Sequence, residues 1–186
     1  MAGIPQKHDP GGQARRAIPP DVKDRSALFD GPARRYRYRL TRTWDKTKPH
    51  ALFIMMNPSV ADENWDDRSV ARCEQFARTW GGYGGIYVGN TFAYVATDKK
   101  CLRAIEDPVD PENDKHLIAM AKLAEKVIFA YGRPGLRRLQ DQGPRLARLL
   151  RDKGFKPYVL KLSKDGTTPW HPLYLRKDSK PFPWKL

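Results

Sequence analysis

Ala51-Leu52-Phe53-Ile54-Met55-Met56 is apolar at every position and stops at Asn57-Pro58. Six such residues have the length of a strand, and a strand without alternation is buried on both faces, which demands a layer of structure on each side of its sheet. Shorter segments repeat the pattern: Ile86-Tyr87-Val88 within Gly85 to Asn90, Val127 to Tyr131, and Pro157 to Leu162. Helical spacing falls between them. Val70, Cys73, Phe76, Ala77 and Trp80 mark one amphipathic helix, with Asp66 or Asp67 placed to cap it and Gly81-Gly82 to end it. Asn113 to Ala124 reads as a second helix. Beyond Gly132-Arg133-Pro134, an arginine-rich helix buries Leu136, Leu139, Leu146 and Leu149, with Gly143-Pro144 as a point of division. Strands alternating with helices imply an α/β fold, a three-layer α/β/α sandwich around a central, mostly parallel sheet. Ahead of this core, Tyr36, Tyr38 and Leu40 alternate with Arg37, Arg39 and Thr41, the signature of a half-exposed strand whose outward side is basic. Residues 1–25 carry no apolar period and read as a flexible basic arm, with residues 26–186 as a single α/β domain.

The charge is as uneven as the hydropathy. Of a formal net charge of +14, residues 1–42 contribute +6 and residues 133–153 contribute +5, whereas residues 43–132 sum to −2. Clustering of this kind suits a polyanion, because each neutralised phosphate releases counterions without regard to sequence. DNA is therefore the expected partner. No apolar stretch approaches the roughly 20 residues of a bilayer span and no signal-peptide core is evident, so the expectation is no membrane association and a cytoplasmic, nucleoid-associated protein, a monomer by preference. Cys73 and Cys101 have no metal-ligand or disulfide spacing and read as inert thiols.

In open α/β sheets ligands bind outside the carboxyl ends of the strands. Asn57-Pro58-Ser59, Asn90-Thr91, Tyr131-Gly132-Arg133 and the later Trp170-His171-Pro172 all stand at such ends or follow them. Any one of these is more often a turn than a site, but four in chain order point to one cleft.

Several blocks resemble a known family: Met55 to Asp62, Asp66-Asp67, Arg72-Cys73, Phe76-Ala77, Trp80-Gly81, Val88 to Phe92, Ala96-Thr97-Asp98, Asp107-Pro108, Asn113-Asp114, and Lys164-Asp165-Gly166 with His171-Pro172-Leu173-Tyr174. In this order they resemble the bacterial and phage domain-of-unknown-function family 1643, over roughly residues 35–176. One departure is Tyr131-Gly132, where that family suggests Trp-Gly. The motif order is also similar to the uracil-DNA glycosylase superfamily. That resemblance implies a fold of the same type, a water-positioning loop at Asn57-Pro58, a base-reading Asn90, an aromatic-Gly turn at Tyr131-Gly132, and a His171-Pro172 loop presenting Leu173 or Tyr174 to the duplex.

Cleaving a sugar-to-base bond leaves positive charge on the sugar and negative charge on the base, so such a site needs a positioned water and donors aimed at the base. Asn57 orients water but is a poor base; Asp62 or Asp67 supplies a carboxylate, and His171 a donor. The expected catalytic set is Asn57, Asp62 and His171, with Ser59, Trp65, Asn90, Thr91, Phe92 and Tyr131 at the substrate. Tyr83 and Trp170 are further stacking candidates. Arg133, Arg137, Arg138, Arg176 and Lys177, with Leu173 and Tyr174, would meet nucleic acid. Neither a metal nor a diffusible cofactor is expected. Three alternatives stand beside a DNA glycosylase acting on a damaged or modified base: a nucleotide-processing enzyme, a metal-dependent nuclease using Asp62, Glu63, Asp66 and Asp67, and a non-catalytic nucleic-acid binder on the same fold.

Overall fold

The computed structural model describes residues 14–97, 102, 105–135 and 137–186. In chain order it runs β1 (Arg16–Ala17), β2 (Asp24–Phe29), β3 (Arg37–Thr43), β4 (His50–Met55), β5 (Trp65–Asp66), α1 (Arg68–Trp80), β6 (Gly85–Asn90), α2 (Asn113–Leu123), β7 (Ala124–Phe129), α3 (Gln142–Asp152), β8 (Pro157–Val159) and β9 (Phe182–Pro183). Seven strands form one sheet in the order β2-β3-β6-β4-β7-β8-β9, and β1 pairs with β5 separately. The strands β6, β4, β7 and β8 are mutually parallel in the middle, and antiparallel strands close both flanks. The sheet is therefore mixed rather than mostly parallel. Antiparallel neighbours need only short links, whereas each parallel pair needs a crossover, so the short connections around β3 extend the sheet without another helix.

The apolar run divides as its burial requires. Ala51, Phe53 and Met55 face Cys73, Phe76 and Ala77 of α1. Leu52, Ile54 and Met56 face the side holding Leu117, Met120 and Ala121 of α2 and Leu146, Ala147 and Leu150 of α3. Helices thus cover both faces of β4, and each large buried side chain contributes about 1.5–3 kcal/mol. Asp67 caps α1 by accepting from the backbone N–H groups of Ser69 and Val70, and Gly81 ends it in the left-handed conformation, φ 79°. The arginine-rich segment is divided earlier than expected. A short 3-10 turn at Arg137–Leu139 precedes α3, and Gly143-Pro144 lies in the first turn of α3, where proline's missing N–H costs nothing. Gly143 is also a close approach: a Cβ there would lie 2.2 Å from the ring of Tyr131.

Two expectations about the N-terminal third change. Of the basic arm expected over residues 1–25, residues 1–13 lie outside the described residues; Arg16–Ala17 pairs with Trp65–Asp66, and Ile18 and Val22 are buried. Of the outward side expected for β3, Arg39 and Thr41 are half-buried, but Arg37 is 2% exposed. The cause is a bulge. Phe29 pairs with Arg37 and Leu28 with Arg39, so Tyr38 is the extra residue and the alternation reverses there. Arg37 thereby shares the α1 face with Leu40 and Arg42, while Tyr38 stacks on His116 of α2, ring centroids 4.6 Å apart. Cys73 is buried; Cys101 and Leu136 lie outside the described residues. Among the described residues, no helix is long and apolar enough to cross a membrane.

Candidate functional site

Strand order reverses at β4, whose neighbours β6 and β7 follow it in sequence on opposite sides, so the crevice beyond its carboxyl end is the natural ligand position. The loops there are laced together. Thr91 and Phe92 donate backbone N–H groups to the carbonyls of Met55 and Met56, at 2.8 and 2.9 Å, and Ala96 donates to Pro58 at 2.9 Å. From the other side Gly132 donates to Pro169 at 3.0 Å, and its Cα lies so near His171 that a Cβ would come within 3.2 Å of the histidine's own Cβ. Segments far apart in sequence meet in one hollow of about 50 Å³, with Asn57, Ser59, Asn90 and His171 in its wall. That volume admits one or two waters.

Fixed donors and acceptors orient these side chains. Asn57 Nδ2 donates to the carbonyls of Pro58 and Ala96 at 2.9 and 2.8 Å, and since a carbonyl only accepts, Oδ1 is left toward the hollow. The Leu173 backbone N–H donates to His171 Nδ1 at 3.3 Å. The ring proton therefore resides on Nε2, which faces Ser69 Oγ at 3.4 Å. Ser69 accepts in this arrangement and is not activated as a nucleophile. Asn90 is buried, and its Oδ1 accepts from Arg37 Nη2 at 3.1 Å, so Nδ2 is turned to the pocket.

The carboxylate in the wall is Asp67, not Asp62. Asp67 Oδ1 takes the two N–H bonds of the α1 cap, both 2.8 Å, and Oδ2 takes none from a described residue. Burial raises its carboxyl above the usual range, against the pull of the Val70 N–H and of Arg37. Asp62 instead closes a turn, accepting from the N–H groups of Asn64 and Trp65 at 2.8 and 3.0 Å. The helix-cap and carboxylate readings of Asp67 are both realised by one side chain, since a cap engages a single oxygen.

Arg37 was not expected in the site. Its Nη1 donates to the Ala61 carbonyl at 2.6 Å, its Nε has no partner, and burial lowers its pKa to about 10, leaving it cationic at neutral pH. Nothing in the sequence separates it from Arg39 and Arg42 of the same strand, and the bulge reverses the alternation that would have placed it. Ser69 lacked any signal beyond its place beside the cap.

The other expected substrate residues stand elsewhere. Thr91 Oγ1 donates to the Met56 carbonyl at 3.0 Å and ties the strand ends together. Phe92 and Tyr131 are packed in the α2/α3 core, 1% exposed each. The Tyr131 hydroxyl is buried without a partner, and its pKa is raised by that burial. Trp65 is 41% exposed in β5 and outside the hollow. Tyr83 is buried against Trp80, while Trp170 is exposed beneath Lys161, whose Nζ lies 4.0 Å from the ring centroid. Arg133, Arg137, Arg138, Lys177 and Arg176 are exposed, Arg176 pairing with Asp178 and Arg138 donating to the Leu102 carbonyl. Tyr174 is 59% exposed and meets the His171 ring edge-on at 5.9 Å, with Leu173 half-buried beside it.

The acidic group of the nuclease alternative is dispersed. Asp66 pairs with buried Arg42 at 2.8 Å, Glu63 with Arg34 at 2.6 Å, and Asp67 caps α1. Among the described residues, no group of three or more His, Cys, Asp or Glu is arranged to hold a metal ion.

Compared with known proteins, residues 37–173 match the family model described as a protein of unknown function, DUF1643. No curated protein and no solved structure matches the chain.

Proposed function

We propose, from the premise that the chain belongs to the DUF1643 family, that it is a DNA glycosylase-like enzyme hydrolysing the N-glycosidic bond of a damaged or modified base, on a uracil-DNA glycosylase-like three-layer fold. The observation that carries this reading is the convergence of Asn57, Asn90 and His171, from three separate strand-end segments, on one hollow that also contains a buried carboxylate. Support for the fold comes from the four parallel strands and the helices on both faces of β4.

In this mechanism a water sits between Asn57 Oδ1 and Asp67 Oδ2. The C1′–N bond breaks with its electron pair leaving on the base, the water oxygen bonds to C1′, and the water proton passes to Asp67. Asn90 Nδ2–H donates to the departing base, and His171 Nε2–H, turning from Ser69 Oγ, joins it. A base is larger than the present hollow, so the Asn57–Ser59 and His171–Tyr174 segments part to admit one that has been flipped from its stack. The exposed Arg133, Arg137 and Lys177 hold phosphates, and Tyr174 meets the duplex.

The test is incubation with a panel of modified-base DNAs and mass analysis for released base and abasic sites. Release by the parent protein and loss in Asn57→Ala and His171→Ala support the reading. The small size of the hollow favours a second reading, a non-catalytic nucleic-acid binder, which predicts binding to every DNA in the panel and release from none.

A further inference from the structure

A second, larger cleft shares no residue with the strand-end hollow. The strap β1, held on β5 by the pairing of Arg16 with Asp66, forms one wall together with Pro19, and the Ala71–Thr79 flank of α1 forms the other. Between them lie about 380 Å³, a volume within the range of small-molecule sites. Two of its lining side chains are buried carboxylates, Asp66 at 1% and Glu74 at 3% exposure. Each is only half engaged. Asp66 Oδ1 accepts from Arg42 Nε at 2.9 Å and Glu74 Oε1 from Arg78 Nε at 2.7 Å, while Asp66 Oδ2 and Glu74 Oε2 are buried with no hydrogen-bond partner among the described residues. A buried acceptor without a donor is costly, so N–H groups are what this pair lacks.

The charges agree. Asp21 also binds Arg78, at 2.8 Å, so Asp21, Asp66 and Glu74 share two guanidinium groups, an excess of one negative charge in a chain of net +14. Arg16, the remaining cation of the lining, is exposed and makes no ion pair with a described residue. Burial raises both carboxyls, and the charge of Glu74 adds to the rise at Asp66, so the two carboxylates sense each other across the site. An ammonium or guanidinium brings several N–H donors and the compensating charge at once. Ala17, Pro19 and Ala71 supply apolar surface that an alkyl chain covers and a hydrated metal ion does not use.

We propose that this cleft is a second ligand site, for a small organic cation of the alkylammonium or alkylguanidinium class, whose head is held by Asp66 and Glu74 and whose alkyl part lies against Ala17, Pro19 and Ala71. The site is independent of the glycosylase reading, because it draws on none of the residues of the hollow.

Isothermal titration of the full chain with butylguanidinium and butylammonium, beside N-butylurea as the neutral isostere, tests this without DNA. The cations bind at least ~10-fold more tightly than the urea, and binding of only one of them upholds the site and identifies the head it takes. Glu74→Gln keeps an acceptor for Arg78 but removes the charge, and it weakens cation binding at least ~10-fold. Should Glu74→Gln fail to fold, Ala71→Leu fills the cleft from a helix position that tolerates leucine, touches no charge, and abolishes cation binding. Asn57→Ala, confined to the hollow, binds the cations as the parent does. Equal affinity for cations and urea, no binding of any of the three, parent-like binding in folded Glu74→Gln or Ala71→Leu, or loss of binding in Asn57→Ala overturns the proposal. Base release from DNA by a protein that binds no cation leaves the glycosylase reading standing and removes this one; cation binding without release does the reverse.

Discussion

His171 Nε2 stands 3.4 Å from Ser69 Oγ, joining the C-terminal loop to the first turn of α1 across 102 residues of sequence. The backbone N–H of that same serine binds Asp67, so histidine, serine and carboxylate share one wall of the hollow. Ser69→Ala removes the hydroxyl but keeps the cap. Its effect on unfolding free energy is about 1 kcal/mol. Base release under single-turnover conditions falls about 10-fold, whereas His171→Ala costs on the order of 100-fold because the donor itself is gone. A larger loss in Ser69→Ala than in His171→Ala contradicts the assignment of serine as the positioning partner.

Asp67→Asn separates the two functions of the cap residue. Asparagine caps a helix about as well as aspartate, so denaturant midpoints stay near the parent's, while base release drops by about 10²–10⁴ with the lost proton acceptor. Asp62→Asn, confined to its turn, leaves release near the parent rate. Because the acceptor must be ionised and burial raises the Asp67 carboxyl, release rises with pH through a midpoint above the ordinary carboxylate range. A pH–rate profile with its acid limb below pH 4, or one that Asp67→Asn does not alter, rejects Asp67 as the base.

How far these residues could be read from sequence depended on whether backbone or packing decided their position. Asn57 and Asn90 stop apolar strands, and a parallel sheet brings such ends together, so their meeting was legible. Asp62 and Asp67 both follow the same strand end; only the direction in which α1 leaves distinguishes them, and that direction is fixed by tertiary packing. Arg37 was placed on the wrong face because one extra residue at Tyr38 reverses a period of two. Phe92, Tyr131 and Thr91 adjoin strand ends yet turn inward, where core volume and backbone carbonyls claim them. The antiparallel flanks were illegible because alternation alone does not give strand direction.

The second buried arginine supports the frame rather than the hollow. Arg42 Nε donates to Asp66 Oδ1 at 2.9 Å, and Nη2 reaches the carbonyls of Asp62 and Trp65. Burial outweighs this pairing and raises Asp66 to about 6. A carboxyl whose folded pKa exceeds its unfolded value binds protons preferentially in the native state, so its stabilisation is present at low pH and lost as pH climbs from about 4 to about 6. Urea titrations therefore show the parent losing on the order of 2–3 kcal/mol over that interval relative to Asp66→Asn, which cannot titrate there. Parallel pH curves for the two proteins refute the account. Arg42→Met strands the carboxylate and costs about 3–5 kcal/mol at pH 7.

Gly132 couples β7 to the histidine loop through backbone shape. Its φ of 70° is left-handed, and the Cβ of an alanine would meet the His171 Cβ at 3.2 Å. Gly132→Ala therefore incurs about 1–2 kcal/mol from conformation, before the loop shifts to relieve the contact. The shift moves His171, so release falls by more than stability alone explains: about 100-fold at temperatures where the variant is fully folded. Folding measured by circular dichroism beside single-turnover release checks this, and a variant that is fully folded and fully active shows that the His171 position does not depend on the glycine.

On the proposed reading, phosphate contacts and pocket contacts respond differently to salt. Arg133, Arg137 and Lys177 are solvent-exposed and outside the hollow, so removing any one alters counterion release but not the chemistry. Plots of log K against log salt for duplex DNA lose about 0.9 of slope for each such residue changed to alanine, with the rate of release from saturated complex unchanged. Arg37→Met acts the opposite way: its guanidinium is buried in the wall of the hollow, so the salt slope holds while release from saturated complex falls. An Arg37 variant that flattens the salt dependence, or an Arg133 variant that slows release at saturation, would show that the basic surface and the hollow are not separate parts of the protein.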